Sequence, residues 1–231
     1  MNRILRALLI LTLFCLPLCL SNCRGGKSAD EVCHQLLLDA AINLNKFHLE
    51  KDSASLDSAL IYYNEAEKYH LKEYDILIPY NKAHVYFYMG KYDDAVQMLQ
   101  QVADSAYVFP EFKAILVESI RAKKAAFKHD IEAEKQHYEN IVNSYDLYIE
   151  NNRTVFDSVL RLPDAEHISH TGAGMALAER YHYKIKADGL DEALAELDSL
   201  QNVAKYNPAY FEWLKEVLEG NGESSIQLLF Q

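Results

Sequence analysis

The chain predicts an all-α fold, an α-solenoid of about four antiparallel helix pairs closed by a C-terminal capping helix. Three observations predict it. Apolar residues recur every three or four positions, the period of one helix face. Glycine, proline and asparagine at Gly90, Pro110, Pro163, Gly189 and Pro208 cut that pattern into helix-sized lengths. A short unit also repeats: Ala59 and Ala66 lie seven apart on one face, as do Ala95 and Val102, and the two pairs are offset by 36 residues. A helix pair of that size cannot bury its apolar side alone, so it requires neighbours of similar length.

Residues 1–22 form a leader outside the fold. Arg3 and Arg6 supply a positive start, and Leu8 to Leu20 an apolar run too short to span a bilayer comfortably. The run ends in Leu20-Ser21-Asn22-Cys23, which resembles the lipobox of bacterial lipoproteins, although Asn22 replaces the usual small residue. The resemblance implies cleavage before Cys23, lipidation of that cysteine, and attachment to the bacterial cell envelope on the periplasmic side or at the outer membrane. Arg24, in place of an aspartate, favours the outer membrane within that family. An ordinary secretory signal would need a small-x-small triplet after the apolar run, and none follows. An uncleaved anchor would leave the rest of the chain in the same compartment.

Cysteine usage follows from that address. Cys15 and Cys19 leave with the leader and Cys23 is the lipid site, so Cys33 stands alone and no internal disulfide can form. Cys33 lies on an apolar helical pattern and reads as a small buried hydrophobe. Loss of Arg3 and Arg6 takes the formal net charge from −11 to −13, which argues against nucleic acid and against electrostatic adhesion to anionic lipid. The 16 tyrosines are numerous for this length, and they suit either wide helix spacing or a recognition surface.

Residues 23–29 read as a tether, 30–219 as the helical domain and 220–231 as a C-terminal tail. Ser28-x-x-Glu31 is a capping box that opens a first helix, carried by Cys33, Leu36, Leu37, Ala40, Leu44 and Phe47 to about Leu49. Leu56, Ala59, Tyr63, Ala66 and Tyr69 define a second. Asp75 to Ala103 then reads as two short helices folded at Gly90. Pro110 opens a third pair, with Phe112, Ile115, Leu116, Ile120 and Phe127 on its first helix and Ile131, Tyr138, Ile141, Tyr145 and Tyr148 on its second. A short insertion with Val155, Phe156, Val159 and Leu160 ends at Pro163. Asp164 caps one long helix to about Lys186, and Leu190 to Ala204 is its partner after Gly189. Asn207-Pro208 starts the capping helix, stopped by Gly220.

The pattern Tyr86-x3-Gly90-x-Tyr92-x2-Ala95-x3-Leu99-x2-Val102, preceded by SLDSALIYYNEAEKY, resembles the tetratricopeptide repeat family, whose period is about 34 residues. The match is clear over residues 55–104 and only architectural beyond 110. Pro79 and Lys82 replace the usual Trp and Leu. The resemblance implies a concave groove lined by the first helix of each pair. In that register Leu77, Asn81, His84 and Tyr88 share one side of their helix and form the expected partner-binding groove. An amide, an imidazole and a phenol there suit an extended protein or peptide partner of the envelope.

Enzymatic chemistry finds little support, and neither catalytic residues nor a cofactor is expected. His167-x2-His170 sets two imidazoles on adjacent turns, but His182 lies three turns on, roughly 16 to 18 Å away, too far to complete a zinc site. Thr171-Gly-Ala-Gly174 lacks the strand and the Lys-Ser/Thr ending of a phosphate loop, and its glycines suit close backbone approach. Glu132, Glu134 and Glu139 have the spacing of a solvated face. The reading is therefore a lipid-anchored interaction scaffold. A glycan-binding accessory lipoprotein of an outer-membrane uptake system is the alternative, and a metal-dependent hydrolase a more distant one.

Overall fold

The structure is a computed structural model that describes residues 28–107 and 109–220. The leader, Cys23, the tether up to residue 27 and the tail from residue 221 lie outside the described residues. Within them the fold is all-α: eleven α-helices and two 3-10 turns, with no strand. No helix among the described residues is long and apolar enough to cross a membrane.

Helix α1 (Ala29–Glu50) starts at the expected capping box. The Ser28 hydroxyl accepts from the Glu31 amide at 3.2 Å, and the Glu31 carboxylate accepts from the Ser28 amide at 2.8 Å. Asp52 caps α2 (Ser53–Glu67) by accepting from the Ala54 amide at 3.1 Å. Cys33, Leu37 and Ala40 of α1 meet Leu56, Ala59, Tyr63 and Ala66 of α2, so small residues let the two backbones approach closely. Cys33 is fully buried, with its thiol directed at the Ala66 carbonyl at 3.6 Å, and burial pushes its pKa up. It packs as a hydrophobe, as its position in the sequence indicates.

Helices α3 (Leu77–Tyr88) and α4 (Tyr92–Gln101) turn at Gly90, whose φ of +72° is one that a side chain resists. The pair shares residues with both neighbours. Ile78 and Val85 join the α1/α2 core, while Ala83 joins Ala95, Leu99 and the Leu116, Val117 and Ile120 face of α5 (Glu111–Phe127). Lys82, which departs from the repeat pattern, buries its stem and reaches Glu67 of α2 at 3.0 Å.

Helix α5 pairs with α6 (Ile131–Asn151). Phe127 and Ile131 are 75% and 78% exposed, contrary to the core role that the pattern suggests; they flank the α5/α6 turn, where Phe127 meets Tyr92 of α4 at 6.3 Å. Glu118 fastens the pair, accepting from Arg121 at 2.5 Å, from Asn140 at 2.9 Å, and meeting His137 Nδ1 at 2.8 Å.

The long helix expected from Asp164 to Lys186 is instead two. Asp164 caps a single turn or so, α8 (Ala165–Ser169), which follows α7 (Arg153–Val159); Thr171 then caps α9 (Gly172–Asp188) by accepting from the Gly174 amide at 3.1 Å. The chain folds back so tightly that a Cβ on Gly174 would lie 2.1 Å from the Ile168 carbonyl oxygen. Of the two glycines read as allowing close backbone approach, Gly174 does so, against the preceding turn, and Gly172 meets nothing within 4 Å. Helix α9 runs antiparallel to α6, with Tyr183 near Tyr138 and Arg180 on Asp146, and pairs with α10 (Leu190–Ala204) after Gly189. Helix α11 (Pro208–Leu218) covers α8, α9 and α10 with Tyr210, Phe211 and Leu214, all fully buried, and the Tyr210 hydroxyl donates to the Gly174 carbonyl at 2.8 Å.

Candidate functional site

Helical periodicity puts Leu77, Asn81, His84 and Tyr88 on one side of α3, and the structure gives each a different setting. Leu77 is exposed at the first turn, while Asn81, His84 and Tyr88 are half-buried. His84 lies 4.7 Å from the Tyr80 ring, and burial, helped by His48, pushes its pKa down to about 4. Its imidazole is therefore neutral at physiological pH. Tyr88 meets Phe47 and His48 of α1 at 5.3 and 4.8 Å between ring centroids, and burial raises its phenol. Burial, and then Lys51, lowers the pKa of His48.

Phe47 and His48 were not foreseen as part of this surface. Phe47 reads in the sequence as part of the apolar face of α1, but the contact to Tyr88 joins residues 41 apart in the chain, and no local pattern signals it. The row of rings continues past α3. Tyr80 approaches Tyr107 at 6.5 Å, Tyr107 approaches Phe112 of α5 at 6.2 Å, and Phe109 stacks on Tyr148 of α6 at 4.1 Å. Tyr107 is the polar exception: burial pushes its phenol up to about 12, and its hydroxyl is buried with no hydrogen-bond partner among the described residues.

A second cluster joins α5, α6 and α9. The Tyr183 hydroxyl is 3.5 Å from the Ser119 hydroxyl, and its ring lies 6.1 Å from Tyr138 and 6.4 Å from Tyr145. Lys186 sits over the rings of Tyr138 and Tyr183, at 5.3 and 5.7 Å. Burial lowers its pKa, Glu134 opposes that shift and Lys123 adds to it. His182 packs edge-on against Tyr183 at 5.5 Å, and burial with help from Lys186 takes its pKa to about 4.

On a different side of α5, a cleft of about 340 Å³ opens between α4, α5 and α6, lined by Tyr92, Val96, Ile120 and a set of charges. Two of its cations are paired: Lys124 with Asp93 at 2.5 Å and Arg121 with Glu118 at 2.5 Å. His167 and His170 are exposed on the short α8 segment, and His170 Nδ1 meets the Glu166 carbonyl at 2.7 Å. His182 belongs to a separate helix. Among the described residues no three His, Cys, Asp or Glu side chains converge as a metal site. Of the carboxylates read as a solvated face, Glu134 is half-buried and accepts from the Tyr138 hydroxyl at 3.0 Å. No protein-family model, curated protein or solved structure matches the chain significantly.

Proposed function

We propose that this chain is a lipid-anchored envelope scaffold. Its hairpins α1/α2, α3/α4, α5/α6 and α9/α10 form a tetratricopeptide-like solenoid that holds an extended protein or peptide partner along the face lined by α1, α3, α5 and α9. The single observation that carries this reading is the row of half-buried rings that crosses from one hairpin to the next through Tyr88, His84, Tyr80 and Tyr107. Rings held by their neighbours lose little rotamer freedom on contact, so a partner meets a preorganised surface. Neutral His48, the Asn81 amide and the Tyr88 hydroxyl offer donors and acceptors for a peptide backbone. Attachment through Cys23 would keep the partner at the membrane.

Site-specific photo-crosslinking in intact cells tests the reading. A photoreactive residue at Asn81 or Tyr88 is expected to give one adduct of constant mass, and the same residue at exposed Gln97 of α4 is not. Equal adducts from both sides, or none from the inner positions, would remove the groove assignment. Loss of metabolic palmitate labelling in Cys23→Ser tests the anchor separately.

A further inference from the structure

We propose that the same face carries a seat for an acidic side chain of the partner, formed by Lys123 of α5 and Lys186 of α9 above Tyr138 and Tyr183. The inference rests on the reading of this face as a partner surface and adds the partner's charge. Helices α5 and α9 both run antiparallel to α6, so they are parallel to one another. They touch at Ser119 and Tyr183, 3.5 Å apart. Lys123 is one turn beyond Ser119 and Lys186 one turn beyond Tyr183, so the two residues stand at the same level on parallel helices, close enough for Lys123 to act on the charge of Lys186.

Two like charges held together are costly unless an anion lies between them, and Lys123 does make the charge of Lys186 harder to hold. Among the described residues neither ammonium lies within ion-pair distance of a carboxylate, whereas Lys124 and Lys184 on the same helices are paired at 2.5 Å and 2.7 Å. Glu134 is the nearby carboxylate, already engaged by the Tyr138 hydroxyl, and it offsets one positive charge of the two. The remainder is a single charge, which suits a carboxylate monoanion better than a phosphate dianion. Lys186 covers the faces of Tyr138 and Tyr183 on which a sugar ring would stack, so an acidic peptide fits better than a saccharide. On a chain of net charge −11 an acidic segment is repelled over most of the surface, so such a seat would also fix where along the face it rests.

The test is fluorescence anisotropy on the detergent-solubilised full chain with labelled hexaglutamate and hexaglutamine. Hexaglutamate is expected to bind with an affinity that falls as salt rises, and Lys123→Gln or Lys186→Gln to weaken it roughly tenfold, as loss of one charge-assisted contact would. Lys186→Arg should restore binding, and unchanged melting temperatures would show that the variants fold. Equal binding of the two peptides, or hexaglutamate binding indifferent to both lysines, overturns the seat. So does inorganic phosphate binding that depends on Lys186 without any hexaglutamate binding. The readouts separate from the crosslinking test: adducts at Asn81 and Tyr88 that persist in both lysine variants, with hexaglutamate unbound, leave the groove standing and remove the seat. Hexaglutamate binding that needs both lysines, with no inner adducts, supports the seat and removes the α3 groove.

Discussion

Both halves of the molecule have an apolar interior, and they differ in the polar contacts added to it. From α1 to α4 the interior is mostly alanine and leucine with Cys33, Ile78, Val85 and one deep tyrosine, Tyr63, and Lys82 to Glu67 is the ion pair that reaches into it. From α5 to α11 the helices are fastened by buried or half-buried polar groups: Glu118 between α5 and α6, Tyr145 to Glu179 between α6 and α9, and Arg180 joining α6, α9 and α10. Small residues at a fixed spacing let successive hairpins stack by shape alone. Where α7 and α8 intervene, α9 meets α6 through directional contacts as well as apolar packing. Polar contacts of this kind specify geometry well but carry a high penalty when one member is lost.

The sharpest way to break the contrast is a single methyl group at the irregular junction. Gly174→Ala would drive a Cβ into the Ile168 backbone, which cannot swing aside as a side chain could, and a loss of about 3 kcal/mol or more is expected in denaturant unfolding. Gly172→Ala, two residues earlier, meets nothing within 4 Å and should be neutral or stabilising by up to about 1 kcal/mol. If both variants melt alike, the tight return between α8 and α9 is not what holds that end.

Next in size is the comparison of the two buried cations. Arg180 is 9% exposed and makes a bidentate contact to Asp146, at 2.5 and 3.1 Å, plus a 2.7 Å contact to Glu196. Burial works against its charge, but the Asp146 hydrogen bond and the neighbouring carboxylates more than offset that. Arg180→Met is expected to cost about 2 to 3 kcal/mol, less than a fully enclosed pair because Asp146 and Glu196 keep contact with water. Lys82→Met, with one half-exposed partner, should cost about 1 kcal/mol or less. Equal losses would mean that the halves are not fastened differently after all.

These differences also mark what could be read from the chain. The hairpins α1/α2 and α3/α4 were legible because Ala59, Ala66, Ala95 and Gly90 state their spacing locally, and the caps at Ser28 and Asn207 are written within three residues of the groups they satisfy. The break at Ser169 to Thr171 was hidden, because no proline stands between Asp164 and Lys186 to end one helix and start the next. Phe127 and Ile131 misled because periodicity does not tell a buried apolar residue from an exposed one at a helix end. Of the proposed surface, spacing alone puts the α3 residues on one side of their helix, but the contacts of Phe47 and His48 with Tyr88 lie between hairpins, which no local pattern encodes. Cys23 falls outside the described residues.

Acid should act on both halves at once. His84 and His182 have folded pKa values near 4, below the ordinary histidine value of 6.5. Between those limits the unfolded chain binds more protons than the folded one, so the stability they contribute is complete above pH 6.5 and is lost as pH falls toward 4. Each contributes a slope of at most about 1.4 kcal/mol per pH unit across that window, and less to the extent that water reaches the ring. Thermal melts from pH 7 to 4 should therefore slope downward, and His84→Gln and His182→Gln should each flatten the slope. A variant that flattens nothing would show that its ring is protonated at no cost in the folded state.

The smallest effect expected, and the one of opposite sign, belongs to Glu179. Burial raises its carboxyl pKa above the usual value while the Tyr145 hydroxyl, donating to it, pulls the other way. A carboxyl whose folded pKa is raised favours the folded state at low pH, and that advantage disappears as pH rises through the folded value. Glu179→Gln keeps an oxygen to accept from Tyr145 and removes the buried charge, so it should leave stability at pH 7 unchanged or raised by up to about 1 kcal/mol. Its effect should turn toward destabilisation below pH 4.5, where the wild-type carboxyl is already neutral. A clear loss at pH 7 would mean that the charge itself is needed to hold α6 to α9. The C-terminal half would then be bound by ion attraction as well as by hydrogen-bond direction.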